Sequence, residues 1–175
     1  METKNRYSER KFFKIFGIIS FKFLTRLIIS IIIIFFLQQV VHEFGHAIMV
    51  VLLGGEIKGI NFGLSGGNVS IIVPNIPSII LAVNLSGGLF ASLFLLGFYL
   101  CTRKFWVEFN IMTYTFLFMN LIIAFIEGFL NELYLQNLGL WSYLMIPFFF
   151  LSVILFKHRL VSQFKEASKG HFVAS

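Results

Sequence analysis

The chain has 175 residues, 58% of them hydrophobic and only 13% charged, with a mean hydropathy of +0.88 and 24 phenylalanines. A water-soluble domain of this length has too little interior to hide so much apolar surface, so composition excludes an ordinary soluble globule and predicts one covered by lipid. The net charge of +6 does not signal a nucleic-acid partner, because seven of the fourteen Lys/Arg lie before residue 27 and four more at or after Lys157, the basic-ended pattern of membrane topology.

Residues 1–26 form a basic segment interrupted by Lys14, Lys22 and Arg26, and Phe12 to Leu24 is expected to lie as an amphipathic helix at the lipid surface. It has no uninterrupted apolar core and no small-residue cleavage site, so it does not read as a removed leader. The first membrane span is predicted from Leu27 to Leu53, stopped by Gly54-Gly55. Residues 56–76 differ in kind: Glu56 to Gly63 alternates, Gly66-Gly67-Asn68 is turn-like, and Val69-Ser70-Ile71-Ile72-Val73 is β-branched, which predicts a short hairpin. Pro74 and Pro77 close it and open a second span, Ser78 to Cys101.

Thr102-Arg103-Lys104 makes a short basic connection to a third span, from Phe105 or Val107 to Ile126. A polar interval, Glu127 to Gly139, precedes the fourth span, Leu140 to Phe156, which ends in Lys157-His158-Arg159. The predicted fold is therefore an all-α membrane protein, a bundle of about four transmembrane helices with a β-hairpin insert after the first. Residues 27–157 form the membrane-embedded domain and 158–175 a basic tail. The Lys/Arg bias predicts a cell membrane with both termini cytoplasmic and Lys58 outside. Lone Cys101 leaves no internal disulfide and reads as a small apolar helix residue.

His42-Glu43-Phe44-Gly45-His46 sits inside the first span, where no other ionisable residue occurs between Leu27 and Leu53. Histidines four apart lie one turn from each other on one helix face, close enough to share a Zn²⁺, and the glutamate after the first can act as general base toward the attacking water. Charges at membrane depth cost about 2.5–3.5 kcal/mol each on insertion scales, so an unliganded His-Glu-His cluster would be an unrelieved penalty. A metal relieves it, and the pattern points to a zinc peptidase working inside the membrane. His158 and His171, set among cationic or small polar residues, read as solvated.

A catalytic zinc usually takes three protein ligands and keeps one position open. The chain has no aspartate, and its other carboxylates are Glu2, Glu9, Glu56, Glu108, Glu127, Glu132 and Glu166. Glu2, Glu9 and Glu166 belong to basic tails, Glu56 follows the metal helix, and Glu108 is expected to pair with Arg103 and Lys104. Glu127, after an apolar run and before a glycine, is favoured as third ligand, with Asn131 one turn on as its orienting partner. Glu132, next to Asn131, is the rival.

The stretch from His42 through Leu52-Leu53-Gly54-Gly55-Glu56 to Gly63 resembles the site-2 protease family of intramembrane metallopeptidases, in which the metal helix ends at a glycine and runs into short strands. Asn84 to Ala91 (Asn-Leu-Ser-Gly-Gly-Leu-Phe-Ala) is similar to that family's small-residue helix, without its usual proline. Asn120 to Gly128 resembles the third element, which in the family carries an Asn, a Pro and an Asp-Gly whose aspartate ligates zinc. Here Glu127 stands in the aspartate's place, the spacing from Asn120 is one residue short and the proline is missing.

The resemblance covers residues 40–139 and implies hydrolysis of peptide bonds in or near transmembrane segments of membrane-protein substrates. It also implies zinc nearer the cytoplasm, whereas His42 falls about 22 Å along a span counted from Leu27, nearer the outer face. The side of cleavage stays open. Gly87 to Ala91 and Gly88 to Ser92 are small residues at four-residue spacing, which predicts close helix packing and places Asn84 as a substrate-binding hydrogen-bond donor. The alternatives are a membrane-anchored zinc peptidase with a surface site and Glu132 as ligand, and a non-catalytic membrane module that binds partner helices.

Overall fold

A computed structural model describes residues 2–63, 66–131, 136, 143 and 145–173. It is mostly helical, with four helices among the described residues, each long and apolar enough to cross a membrane, and one two-stranded antiparallel sheet. This agrees with the predicted class and is consistent with a membrane protein.

α1 runs unbroken from Glu2 to Leu52, with its long apolar stretch from Ser20 to Leu52. No proline interrupts it, so the basic segment and the first span share one axis. Its end is set by Gly54, whose φ of +76° is the left-handed conformation that favours glycine. The amide of Gly55 donates to Val50 O at 2.8 Å and that of Gly54 to Val51 O at 3.2 Å, the paired bonds of a Schellman cap. The chain thereby reverses into the sheet within three residues.

β1 (Glu56–Gly63) and β2 (Gly66–Ile72) pair from Glu56↔Ile72 to Gly63↔Gly66, with a bulge at Lys58 between the Ile57↔Ile71 and Gly59↔Ser70 pairs. Gly66-Gly67-Asn68, expected as the turn, belongs instead to β2. The hairpin packs back on α1 at Gly55, where a Cβ would lie 2.7 Å from Ile72 O and 2.9 Å from Val50 Cγ1.

α2 (Pro77–Thr102) begins with Pro77 in its first turn, where the missing amide hydrogen costs nothing. α3 (Val107–Phe129) is the central helix, 67% of its span buried against 22%, 39% and 11% for the spans of α1, α2 and the last helix. α4 (Met145–Val173) continues well beyond the predicted end at Phe156, since no glycine or proline follows until Gly170. The predicted start of the fourth span at Leu140 lies outside the described residues.

The core forms where α1, α2 and α3 meet, around Ile34, Leu95, Phe109, Met112, Phe116 and Met119. Glycines set the spacing. A Cβ at Gly45 would lie 2.8 Å from Phe90 Cβ and 2.9 Å from Ser86 O, and one at Gly88 would meet Asn120 O and lie 2.6 Å from Ala124 Cβ. The small-residue face of α2 thus lets α1 approach on one side and α3 on the other, as the spacing predicts.

Candidate metal centre

His42 and His46 project from the last three turns of α1 onto α2 and α3, and all three polar residues of the motif, with Glu43, are buried. Two buried acceptors fix the histidine rings. His46 Nδ1 donates to the carbonyl of Val83 at 2.7 Å. His42 Nδ1 lies 3.2 Å from Asn120 Oδ1, and the Asn120 amide is turned that way because its Nδ2 donates to Phe116 O at 2.8 Å. A carbonyl oxygen only accepts, so each ring carries a hydrogen on Nδ1 and, as a neutral imidazole, presents a bare lone pair at Nε2.

Those two Nε2 atoms face each other at 3.2 Å. Glu127, at the end of α3, places Oε2 3.4 Å from His42 Nε2 and Oε1 3.4 Å from His46 Nε2. With both rings neutral, three lone-pair-bearing groups converge with no hydrogen between them, and Glu127 Oε2 is buried without a hydrogen-bond partner. Apposed lone pairs repel unless a cation lies among them. Tetrahedral coordination with bonds of about 2.0–2.1 Å sets ligand atoms about 3.3–3.4 Å apart, close to the 3.2 Å between the two Nε2 atoms and the 3.4 Å from each to its nearer Glu127 oxygen. The His42, His46 and Glu127 group can hold a metal ion, and the donor set of two imidazoles and one carboxylate suits it.

The neighbours of this group leave it little room. A Cβ at Gly87 would fall 2.7 Å from His42 Nε2 and closer still to His46 Nε2, so only glycine lets α2 pass the site. Glu43 is within electrostatic reach of His42, His46 and Glu127. The start of β2 covers it, since a Cβ at Gly67 would lie 2.6 Å from Glu43 Oε1. The hairpin is in this way part of the centre.

The two histidines, Glu43 and Glu127 are brought together from positions as far as 85 residues apart. Glu132 lies outside the described residues. Asn131 does not bond Glu127; it lines a cleft of about 740 Å³ together with Asn84, Pro77, Leu81 and Gly128. Asn84 and Gly128 are chain neighbours of Val83 and Glu127, but none of His42, Glu43, His46 and Glu127 lines this cleft. Glu108 also departs from expectation: it is 0% exposed and takes Gln163 Nε2 on Oε1 at 2.8 Å rather than pairing with Arg103 or Lys104. The first turn of α3 points it inward against α4, whereas both cations face outward.

The role of Asn120 as partner of His42 escaped sequence reasoning, although an amide in mid-span was its signal, being costly unless bonded. The carbonyl of Val83 had no signal at all, because every residue has one. The chain matches no protein-family model, no curated protein and no solved structure.

Proposed function

We propose that this chain is an integral membrane zinc endopeptidase of the site-2 protease kind, cutting peptide bonds in or near transmembrane segments of membrane-protein substrates. The observation that carries the reading is the convergence of His42 Nε2 and His46 Nε2, 3.2 Å apart, with the Glu127 carboxylate, a different oxygen of which lies 3.4 Å from each, beside the buried Glu43. Zinc is the metal that this donor set favours; once bound, it polarises the scissile carbonyl and acidifies the attacking water.

The remaining work falls to side chains. Glu43 takes a proton from the attacking water on its carboxylate and hands it to the leaving nitrogen, so that the amine departs neutral. Asn120 and the Val83 carbonyl hold the imidazoles in the tautomer that leaves Nε2 free. Gly67, packed on Glu43, keeps bulk water from that carboxylate. A helical substrate hides its carbonyls in its own hydrogen bonds and must unwind to be cut. Asn84, which lines the cleft, would donate a hydrogen bond to such an extended backbone.

The test is reconstitution of the purified chain with a reporter transmembrane segment. Cleavage is expected from the native chain, none after removal of zinc by a chelator, and none from Glu43→Gln, which retains one zinc per chain. Cleavage by Glu43→Gln at the native rate would overturn Glu43 as the base. Full zinc occupancy without cleavage of any reporter would favour the non-catalytic module.

A further inference from the structure

At the end of the bundle remote from the metal group, two arginines converge on one turn. Arg26 of α1 sets its guanidinium 5.2 Å from the centre of the Trp106 ring, and Arg159 of α4 donates from Nη2 to Phe105 O at 3.3 Å. Phe105 and Trp106 are consecutive residues in the α2–α3 connection, so two guanidiniums from different helices bracket one short stretch of chain. Arg103 and Lys104 precede it and are exposed.

Among the described residues, no carboxylate pairs with this group: neither Arg26, Arg103, Lys104 nor Arg159 forms a salt bridge. The nearest acid in sequence, Glu108, is sealed beneath the turn on Gln163. Four cations at one level, with Phe105 55% and Trp106 40% exposed between them, combine unbalanced charge with aromatic rings of the kind that sit at a membrane–water boundary. Immediately along the helices, Ile28 and Ile29 of α1 and Leu100 of α2 expose their apolar side chains.

We propose that this turn is a binding site for the headgroup of an anionic phospholipid, its phosphate held between Arg26 and Arg159 and its acyl chains lying along the exposed apolar faces. Guanidinium forks match phosphate oxygens in pairs and give up their hydration more readily than ammonium groups, which suits a site at the edge of a hydrocarbon layer. The site rests on the membrane location proposed above but not on the metal chemistry, and sedimentation of the chain with membranes tests that location separately.

The full chain, extracted in mild detergent with equal amounts of phosphatidylglycerol and phosphatidylcholine, should retain phosphatidylglycerol selectively when its bound lipids are counted by native mass spectrometry. Arg26→Gln and Arg159→Gln should each weaken retention by about fivefold, the effect of one basic group at an anionic surface. Lys58→Gln, at the metal end and paired with Glu56 at 2.6 Å, should change nothing. Equal retention of the two lipids by the native chain would overturn the site whether or not the variants fold. So would an equal loss in Lys58→Gln, which would mean diffuse charge, or displacement of the lipid by millimolar inorganic phosphate, which would mean a site for soluble anions.

Discussion

Asn120 Oδ1 stands 3.2 Å from His42 Nδ1 across 78 positions of sequence, and the same amide is tied to Phe116 O at 2.8 Å. The side chain thus belongs at once to the α3 backbone and to the metal group. Asn120→Ala would leave the His42 N–H buried without a partner and its ring free to turn. Metal affinity should fall by about 10- to 100-fold, the usual effect of losing such an outer partner. Competition with a chromogenic chelator measures this, and unchanged affinity would remove Asn120 from the site.

Glu127→Ala should abolish most metal binding, Glu127→Asp should keep part of it, and Glu132→Ala should leave it intact. Metal content per chain, read by plasma mass spectrometry after gel filtration, decides the matter. The opposite pattern would move the ligand role to Glu132 and the site toward the surface.

Two glycines should separate metal binding from catalysis. Gly87→Ala sets a methyl against both histidine Nε2 atoms and should lose metal. Gly67→Ala crowds the Glu43 carboxylate first, so metal should stay while cleavage falls. Equal loss of metal in both variants would show that the hairpin supports the ligands rather than the base.

Gly54→Ala places a side chain at φ +76° and should destabilise the end of α1 by about 1 kcal/mol. The whole effect is backbone strain, because the added methyl has no neighbour within 4 Å to clash with. A lowered thermal midpoint in detergent with metal stoichiometry unchanged is the expected result.

What the sequence reveals and what it hides divide along physical lines. The four apolar helices, the hairpin and the His-Glu-His face can be read because each depends on local periodicity or on a charge in the wrong solvent. The small-residue face of α2 can be read as packing, but not that Gly87 in particular clears the metal group, since that depends on which way α2 is rotated. A local reading misplaces the hairpin's turn because Gly66-Gly67 has turn composition, whereas its use is close approach to Glu43. Glu108 misleads for a similar reason. Its sequence neighbours are cations, but its spatial neighbour is Gln163, 55 positions away.

The separation of the ligands has a consequence for how the chain comes into being. His42 and His46 are made early and Glu127 some eighty residues later, with the hairpin and α2 in between. A metal held by all three is a cross-link that closes this long loop, and it stabilises the assembled state over any state with α3 undocked. A nascent chain therefore has an incomplete metal group until its third helix has packed. On the reading proposed above, its neighbours in the membrane are spared a protease that is still under construction.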